Sequence, residues 1–411
     1  MVRVRISALL VAAVSLSAAD LRLLQAIQQI DLKAAQSLIA AGADVNGAGP
    51  DGTTPLAMAV SRNSEPLVSV LIRAGAKVNV ADENGETPLA LACAEGLAPI
   101  ARLLLDSKAN PNTRLWSGET PLMLAVHSGN AGLVKLILGQ NTGANATEPR
   151  LGQTALMWAA AGGRTEIARS LLEHGADVNA VSKSGYTALL FAAQNGAVEL
   201  VRLLLAAKAN PDATASDGVS PLLVALAHGH QPVASQLLDH GADVNTRSQS
   251  GNTPVQEAVR QGNIELVHEL VRRGADMHGG ASTPFLIAAQ TGNVAMMREL
   301  ISLGADPKEK SRDGAGGLLL ATRSKKLEAV KLMVELGADV NEAPARRSSP
   351  LHTAIQLGAN EIIEYLAQHG ADFKAIDAFG RDAIEEAEFE APKSTITLVR
   401  KLAAESEHPK Q

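Results

Sequence analysis

Few residues in this 411-residue chain have the type and spacing that chemistry needs. His228 and His230 stand two apart and could offer two imidazoles to one metal ion, but no Cys or carboxylate cluster beside them completes a ligand set. Gly47-Ala-Gly49-Pro-Asp-Gly52 fits the spacing of a dinucleotide loop, whose glycines let backbone approach a pyrophosphate at a helix N-terminus. It lies in a polar stretch with no strand-turn-helix pattern around it. Cys93 is the single cysteine. Its run TPLALACAEG holds no base or cation to lower the thiol pKa, which is the setting of a core thiol and not of a nucleophile. Neither a Gly-x-Ser-x-Gly elbow, a Walker loop nor a His-Glu-x-x-His zinc pair occurs. The expectation is therefore no catalytic residue, no cofactor and no metal, and the chain is read as one that recognises rather than transforms.

The elements that must carry a recognition surface are spelled out by repetition. Gly-Ala-Asp-Val-Asn begins at Gly42 and returns, with substitutions, at Gly75, Lys108, Gly143, Gly175, Lys208, Gly241, Gly274, Gly304, Gly337 and Gly370. The step is 33 residues, broken only between 108 and 143, 143 and 175, and 274 and 304. Thr-Pro-Leu-x-x-Ala keeps the same period from Thr54 to Ser349, with weaker copies at Gly316 and Asp382. A hydroxyl residue before Pro starts a helix, because the hydroxyl accepts from a free backbone N–H and Pro sits where no donor is needed. A Gly such as Gly96, Gly129 or Gly196 then closes that helix. Next comes an amphipathic segment such as Glu199 to Leu205, which runs to the following Gly-Ala-Asp phrase. Each unit is two short antiparallel helices. The polar stretch between units, for example Asn79 to Gly85, reads as a projecting β-hairpin finger. Helices this short are marginal in water, so their apolar faces must be buried on neighbouring units, and the small Ala59 and Ala92 let the helices approach.

Both phrases and their period resemble the ankyrin-repeat family over roughly residues 20 to 405. The resemblance implies a mainly α fold, an ankyrin-repeat solenoid of stacked helix-turn-helix units with projecting β-hairpin fingers. It also implies a protein-binding strip along the finger tips and the exposed ends of the first helices. On the tips this sequence places Glu83, Glu86, Trp116, Glu119, Lys183, Tyr186, Asp217, Arg312 and Phe379. Helix ends bring His127, Gln194, Arg260, Gln290 and Arg323. Trp116 and Tyr186 are the natural anchors, since aromatics dominate interface energetics; the alternative is that each packs flat on a neighbouring finger. Trp158 stands where a Leu is expected and reads as core. Two departures from the family pattern carry a cost. His352 alone fills the His of Thr-Pro-Leu-His, so apolar packing must replace that polar bonding elsewhere. Lys108 and Lys208 replace a closing Gly, at about 1 kcal/mol each if the left-handed conformation is kept.

Outside the repeats, residues 1–19 read as a cleavable signal peptide: Arg3 and Arg5, then the apolar Ile6 to Leu16, then Ser17-Ala18-Ala19, with cleavage after Ala19. The apolar run is too short to span a bilayer. The remainder divides into an N-terminal capping repeat over 20–50, tandem repeats over 51–376, and a C-terminal capping repeat and tail over 377–411. The formal net charge of −6 disfavours nucleic acid and anionic lipid as partners. The expected molecule is thus an exported, periplasmic or secreted, monomeric scaffold that binds protein partners and does not insert in a membrane once its signal is removed. A secreted effector or structural spacer is the alternative, and an enzyme with a site hidden in the groove is disfavoured. Asn145-Ala-Thr147 is a glycosylation acceptor only in a eukaryotic host.

Overall fold

A computed structural model of the chain describes residues 18–49, 52–279, 282–344 and 348–407. The expected signal peptide lies outside the described residues, apart from Ala18 and Ala19, which open the first helix. Among the described residues run twenty-four helices in antiparallel pairs, from Ala18–Gln28 with Leu32–Ala40 to Ala383–Glu390 with Lys393–Glu407. The pairs fall into two compact halves, which among the described residues run over 18–210 and 211–407. Within each half a helix packs on its own partner and on the matching helix of the neighbouring pair, so the core is a seam between pairs. Leu67, Leu104, Leu204, Leu237 and Leu366 are fully buried in it, each stabilising the fold by roughly 2 kcal/mol.

The helix starts follow from the Thr-Pro phrase. Thr54, Thr87, Thr120, Thr187 and Ser220 each hold extended backbone and accept from the N–H three residues on, with Pro in the first turn at four of the five. Gly96, Gly129 and Gly196 close the first helices with φ of 70°, 78° and 67°. Where Thr-Pro is replaced by Gly316-Gly317 the helix still starts, without a side-chain cap. A Cβ on Gly317 would meet Met333 Cε at 2.6 Å, so Met333 from the second helix of the pair fills the place of the proline ring.

The fingers are hairpins reduced to their turns. Asp82 N–H donates to the Glu86 carbonyl (3.0 Å), and the Asp82 carboxylate accepts from Asn84 N–H (2.8 Å) and Glu86 N–H (2.7 Å). Asp377 repeats this with Phe379 and Arg381, while Ser182 and Ser248 make a single such bond. One backbone bond closed by a side chain leaves no ladder to extend; bridges Thr147↔Thr154 and Lys310↔Gly316 are the only strand-like pairings among the described residues.

Neighbouring fingers are joined by side-chain amides. Asn46 donates to the Gly75 carbonyl (3.3 Å) and accepts from Lys77 N–H (2.7 Å). Asn79, Asn179, Asn245 and Asn341 bridge their next unit in the same way. After the irregular step at 108 to 143 the role passes to Asn145, which bonds Gly175 and Asp177.

Candidate recognition surface

Three repeat positions face one another on the exposed side of the first helices: the residue before each Thr, the fifth residue of Thr-Pro-Leu-x-x-Ala, and the eighth. In the first half they read Glu119, Leu124 and His127, then Gln153, Trp158 and Ala161, then Tyr186, Phe191 and Gln194. Glu119, His127, Gln153, Trp158 and Arg164 line a cleft of about 480 Å³. His127 and Trp158 meet edge to face with ring centroids 5.9 Å apart, and Arg164 Nη2 donates to the His127 carbonyl (2.8 Å).

Trp158 is the residue that sequence reasoning misplaced. It is half-buried and forms a wall of the cleft rather than part of the core. In the first half the fifth place leaves one side of its residue open, since Met58, Leu91, Leu124 and Phe191 are half-buried there too, whereas Val224, Ile287, Leu320 and Thr353 at that place in the second half are buried. A signal for this was present in Glu257, a charged residue at the same place in the second half that is itself only half-buried.

The other sequence candidates are dispersed along the fingers. Trp116 is 78% exposed; its N–H donates to the Asn84 carbonyl (3.1 Å), and its ring lies so close over Gly85 that a Cβ there would come within 2.9 Å of Cδ1. It is therefore seated on the neighbouring finger and open to solvent at once. Tyr186 is half-buried against Phe191, centroids 5.1 Å apart. Lys183 ties two fingers: Nζ donates to the Pro149 carbonyl and its N–H to that of Leu151. Beneath it Glu148 is held below its usual carboxylate range. Burial pushes that pKa up, but N–H bonds from Gln153, Leu151 and Arg150 outweigh burial, helped by the Lys183 charge. Glu83 is exposed, whereas Glu86 is half-buried with its pKa raised by burial and then by the charges of Asp82 and Glu95. In the second half Asp217 accepts from Val219 N–H (3.2 Å), and Arg260 pairs with Glu257 (3.0 Å) and Asn252 (3.1 Å). Gln290 and Arg312 are exposed, at a helix end and a finger tip.

At the far end of the second half the same three positions carry Ser348, Thr353 and Gln356, then Arg381, Glu386 and Phe389. Arg381 lies between two exposed rings, 4.8 Å from the centroid of Phe379 and 4.4 Å from that of Phe389. Its Nη2 is 3.2 Å from Asp377 Oδ2 and 2.9 Å from Glu386 Oε2, both side chains buried. The Glu386 contact has charge attraction without hydrogen-bond geometry, since Glu386 Oε2 and Arg381 Nε have no hydrogen-bond partner. Burial pushes the Asp377 pKa up, but the N–H groups of Arg381 and Phe379 and the Arg381 guanidinium hold it below the usual range. Arg381 and Phe389 were less plainly marked, because the phrase at Asp382 is a weak copy without Thr-Pro.

The residues with chemical potential are spent elsewhere. Cys93 is fully buried and burial pushes its thiol up to about 12. His228 and His230 stack at 6.0 Å and His228 Nδ1 bonds the Val224 carbonyl (2.9 Å). No group of three or more His, Cys, Asp or Glu suited to a metal occurs among the described residues. No helix of those residues is long and apolar enough to cross a membrane.

Residues 23–115, 122–215, 189–281 and 285–377 match the family model of ankyrin repeats in three copies. No relative among curated proteins matches the chain. Among solved structures it is similar to the ankyrin repeat domain of Bcl-3, described as a unique member of the IkappaB protein family. That similarity has 30% identity and a TM-score of 0.47, over 53% of this chain and 97% of that one.

Proposed function

Since the chain belongs to the ankyrin-repeat family, whose members generally serve as scaffolds for protein–protein interaction, we propose that it binds protein segments along its fifth-and-eighth-position strip. The observation that carries this reading is the cleft where His127 and Trp158 meet. A half-buried indole beside an exposed imidazole presents a large apolar face at low entropic cost, because rings and helices are already fixed before a ligand arrives. In this reading Glu119, Tyr186 and Gln194 contribute to the strip in the first half and Glu83, Glu86 and Lys183 flank it from the fingers, and Arg260, Gln290, Asp217 and Arg312 take the matching roles in the second. The function is non-catalytic and the protein monomeric, with neither nucleic acid nor a bilayer as ligand. Export through the leader at residues 1–19 belongs to the same proposal, supported by its basic, then apolar, then small-residue order.

Affinity capture from extracts and extracellular fractions tests it. Partners held by wild type should be lost, at least about ten-fold, from Trp158→Ala and more weakly from Trp116→Ala and Tyr186→Ala. Retention of every partner by Trp158→Ala rejects the cleft. N-terminal sequencing of the protein from its host should begin at Asp20, and an intact Met1 would reject export.

A further inference from the structure

The end of the second half holds a second recognition feature with its own chemistry. We propose that the groove from Arg323 to Phe389 docks an acidic peptide, with an apolar side chain settling against Phe379 and Phe389 and a neighbouring Asp or Glu pairing with Arg323. This rests on the scaffold reading above and adds the partner's chemistry.

Two adjoining clefts, of about 380 and 580 Å³, make the groove; Gln356 and Phe379 line both. Phe379 is 78% exposed and Phe389 65%, so two large apolar side chains that ordinarily hide in a core are left facing one depression. They are held there for a physical reason. Arg381 stands between the rings, and the buried Asp377 and Glu386 carboxylates fix its guanidinium from below. Arg381 is thus a rigid floor that props the rings, with its charge already answered.

Arg323 differs from it. It is exposed, lines the groove across from Phe379, and pairs with no carboxylate among the described residues. Of the described charged residues that line the groove Arg323 alone is exposed, while Glu386, and Asp377 beside it, are buried against Arg381. An anionic ligand is therefore favoured and a basic peptide disfavoured. The place that Arg323 fills, the eighth, carries Ala94, His127, Ala161 and Gln194 in the first half and no guanidinium. A nucleic acid is the wrong anion: among the described residues that line the groove one guanidinium is free, and with a net charge of −6 that gives no multi-phosphate footprint. A peptide that places one carboxylate beside an apolar anchor fits both the single cation and the aromatic pair.

The test uses the full chain and two fluorescein-labelled peptides of about twelve residues, one alternating Asp with Phe and Leu, the other with Lys in place of every Asp. Fluorescence anisotropy should show the Asp peptide binding wild type and the Lys peptide binding at least ten-fold more weakly. Phe379→Ala and Phe389→Ala should each weaken the Asp peptide at least about ten-fold, the scale on which aromatic anchors act. Arg323→Glu should reverse the preference between the peptides. Both Phe side chains are exposed, so their variants should keep the wild-type circular dichroism and melting midpoint, which separates lost docking from lost fold. No binding of the Asp peptide to wild type, equal binding of both peptides, or binding indifferent to Phe379→Ala overturns the proposal. Asp-peptide binding that is lost in Trp158→Ala but kept in Phe379→Ala also overturns it, while leaving the scaffold reading in place.

Discussion

Lys108 and Lys208 hold φ of 69° and 70°, a region in which a Cβ crowds the following carbonyl and which their counterparts Gly75 and Gly241 enter freely. Both lysines are exposed, and what the fold asks of them is a backbone carbonyl that Asn79 and Asn179 can reach. Glycine supplies that carbonyl equally well. Relief of a strain of about 1–2 kcal/mol should outweigh the extra unfolded-state entropy of Gly, roughly 0.5–1 kcal/mol. Lys108→Gly is therefore expected to stabilise the protein by about 0.5–1 kcal/mol in urea unfolding. A loss of stability would mean that the Lys side chain holds a contact that its exposure conceals. The left-handed turn was legible in the sequence because the repeat supplies Gly at that place almost everywhere else. The same lining-up of units misled at Trp158: a repeat position says which residue type is usual, and only the angle around the helix says that one edge of it meets water.

At the scale of the element, each unit owes its helices to local signals and its register to a distant one. Thr-Pro starts and Gly stops lie within a few residues of what they control, so the helix pairs could be read from the chain directly. The amides that join fingers act over 29 to 32 residues, as from Asn179 to Lys208 and Asn210, and nothing local distinguishes such an Asn from one in an ordinary turn. The shift of this role to Asn145 was likewise illegible, since it depends on where an irregular loop puts its amide. The finger turns were readable as turns, but the Asp82, Ser182 and Asp377 side chains that close them take the place of the strand ladder a hairpin suggests. Asn179→Ala removes a donor to the Lys208 carbonyl (3.1 Å) and an acceptor from Asn210 N–H (2.8 Å). With both groups near water, the expected cost is about 1–2 kcal/mol in all, accompanied by faster amide exchange at Asn210. Unchanged exchange there would show that water replaces the Asn without loss. A glycan on Asn145 would replace one of the two hydrogens on the Nδ2 that reaches the Gly175 carbonyl (2.9 Å), so occupancy of that sequon competes with the joining of the fingers.

For the whole molecule the decisive fact is that burial occurs between neighbours. Leu104 is fully buried in the helix Ala98–Asp106, which packs against Pro88–Ala94 in its own pair and against Glu65–Arg73 and Ala131–Leu138 on either side. Leu104→Ala should cost about 2–5 kcal/mol by transfer and cavity formation. In a protein with one central core such a loss would lower protection from hydrogen exchange throughout. In an array whose stability is a sum of units and nearest-neighbour interfaces, the loss is spent where the unit opens. Hydrogen-exchange mass spectrometry should therefore find protection falling most in residues 88–106, less in 55–73 and 121–138, and least in 155–206 of the same half. The order of that gradient, rather than its size, tests the architecture. A uniform fall across the half would mean that its pairs unfold as a single unit. A graded fall would give each stretch its own local stability, so that loss of packing under one unit leaves the ring geometry of more distant units, such as Tyr186 against Phe191, in place.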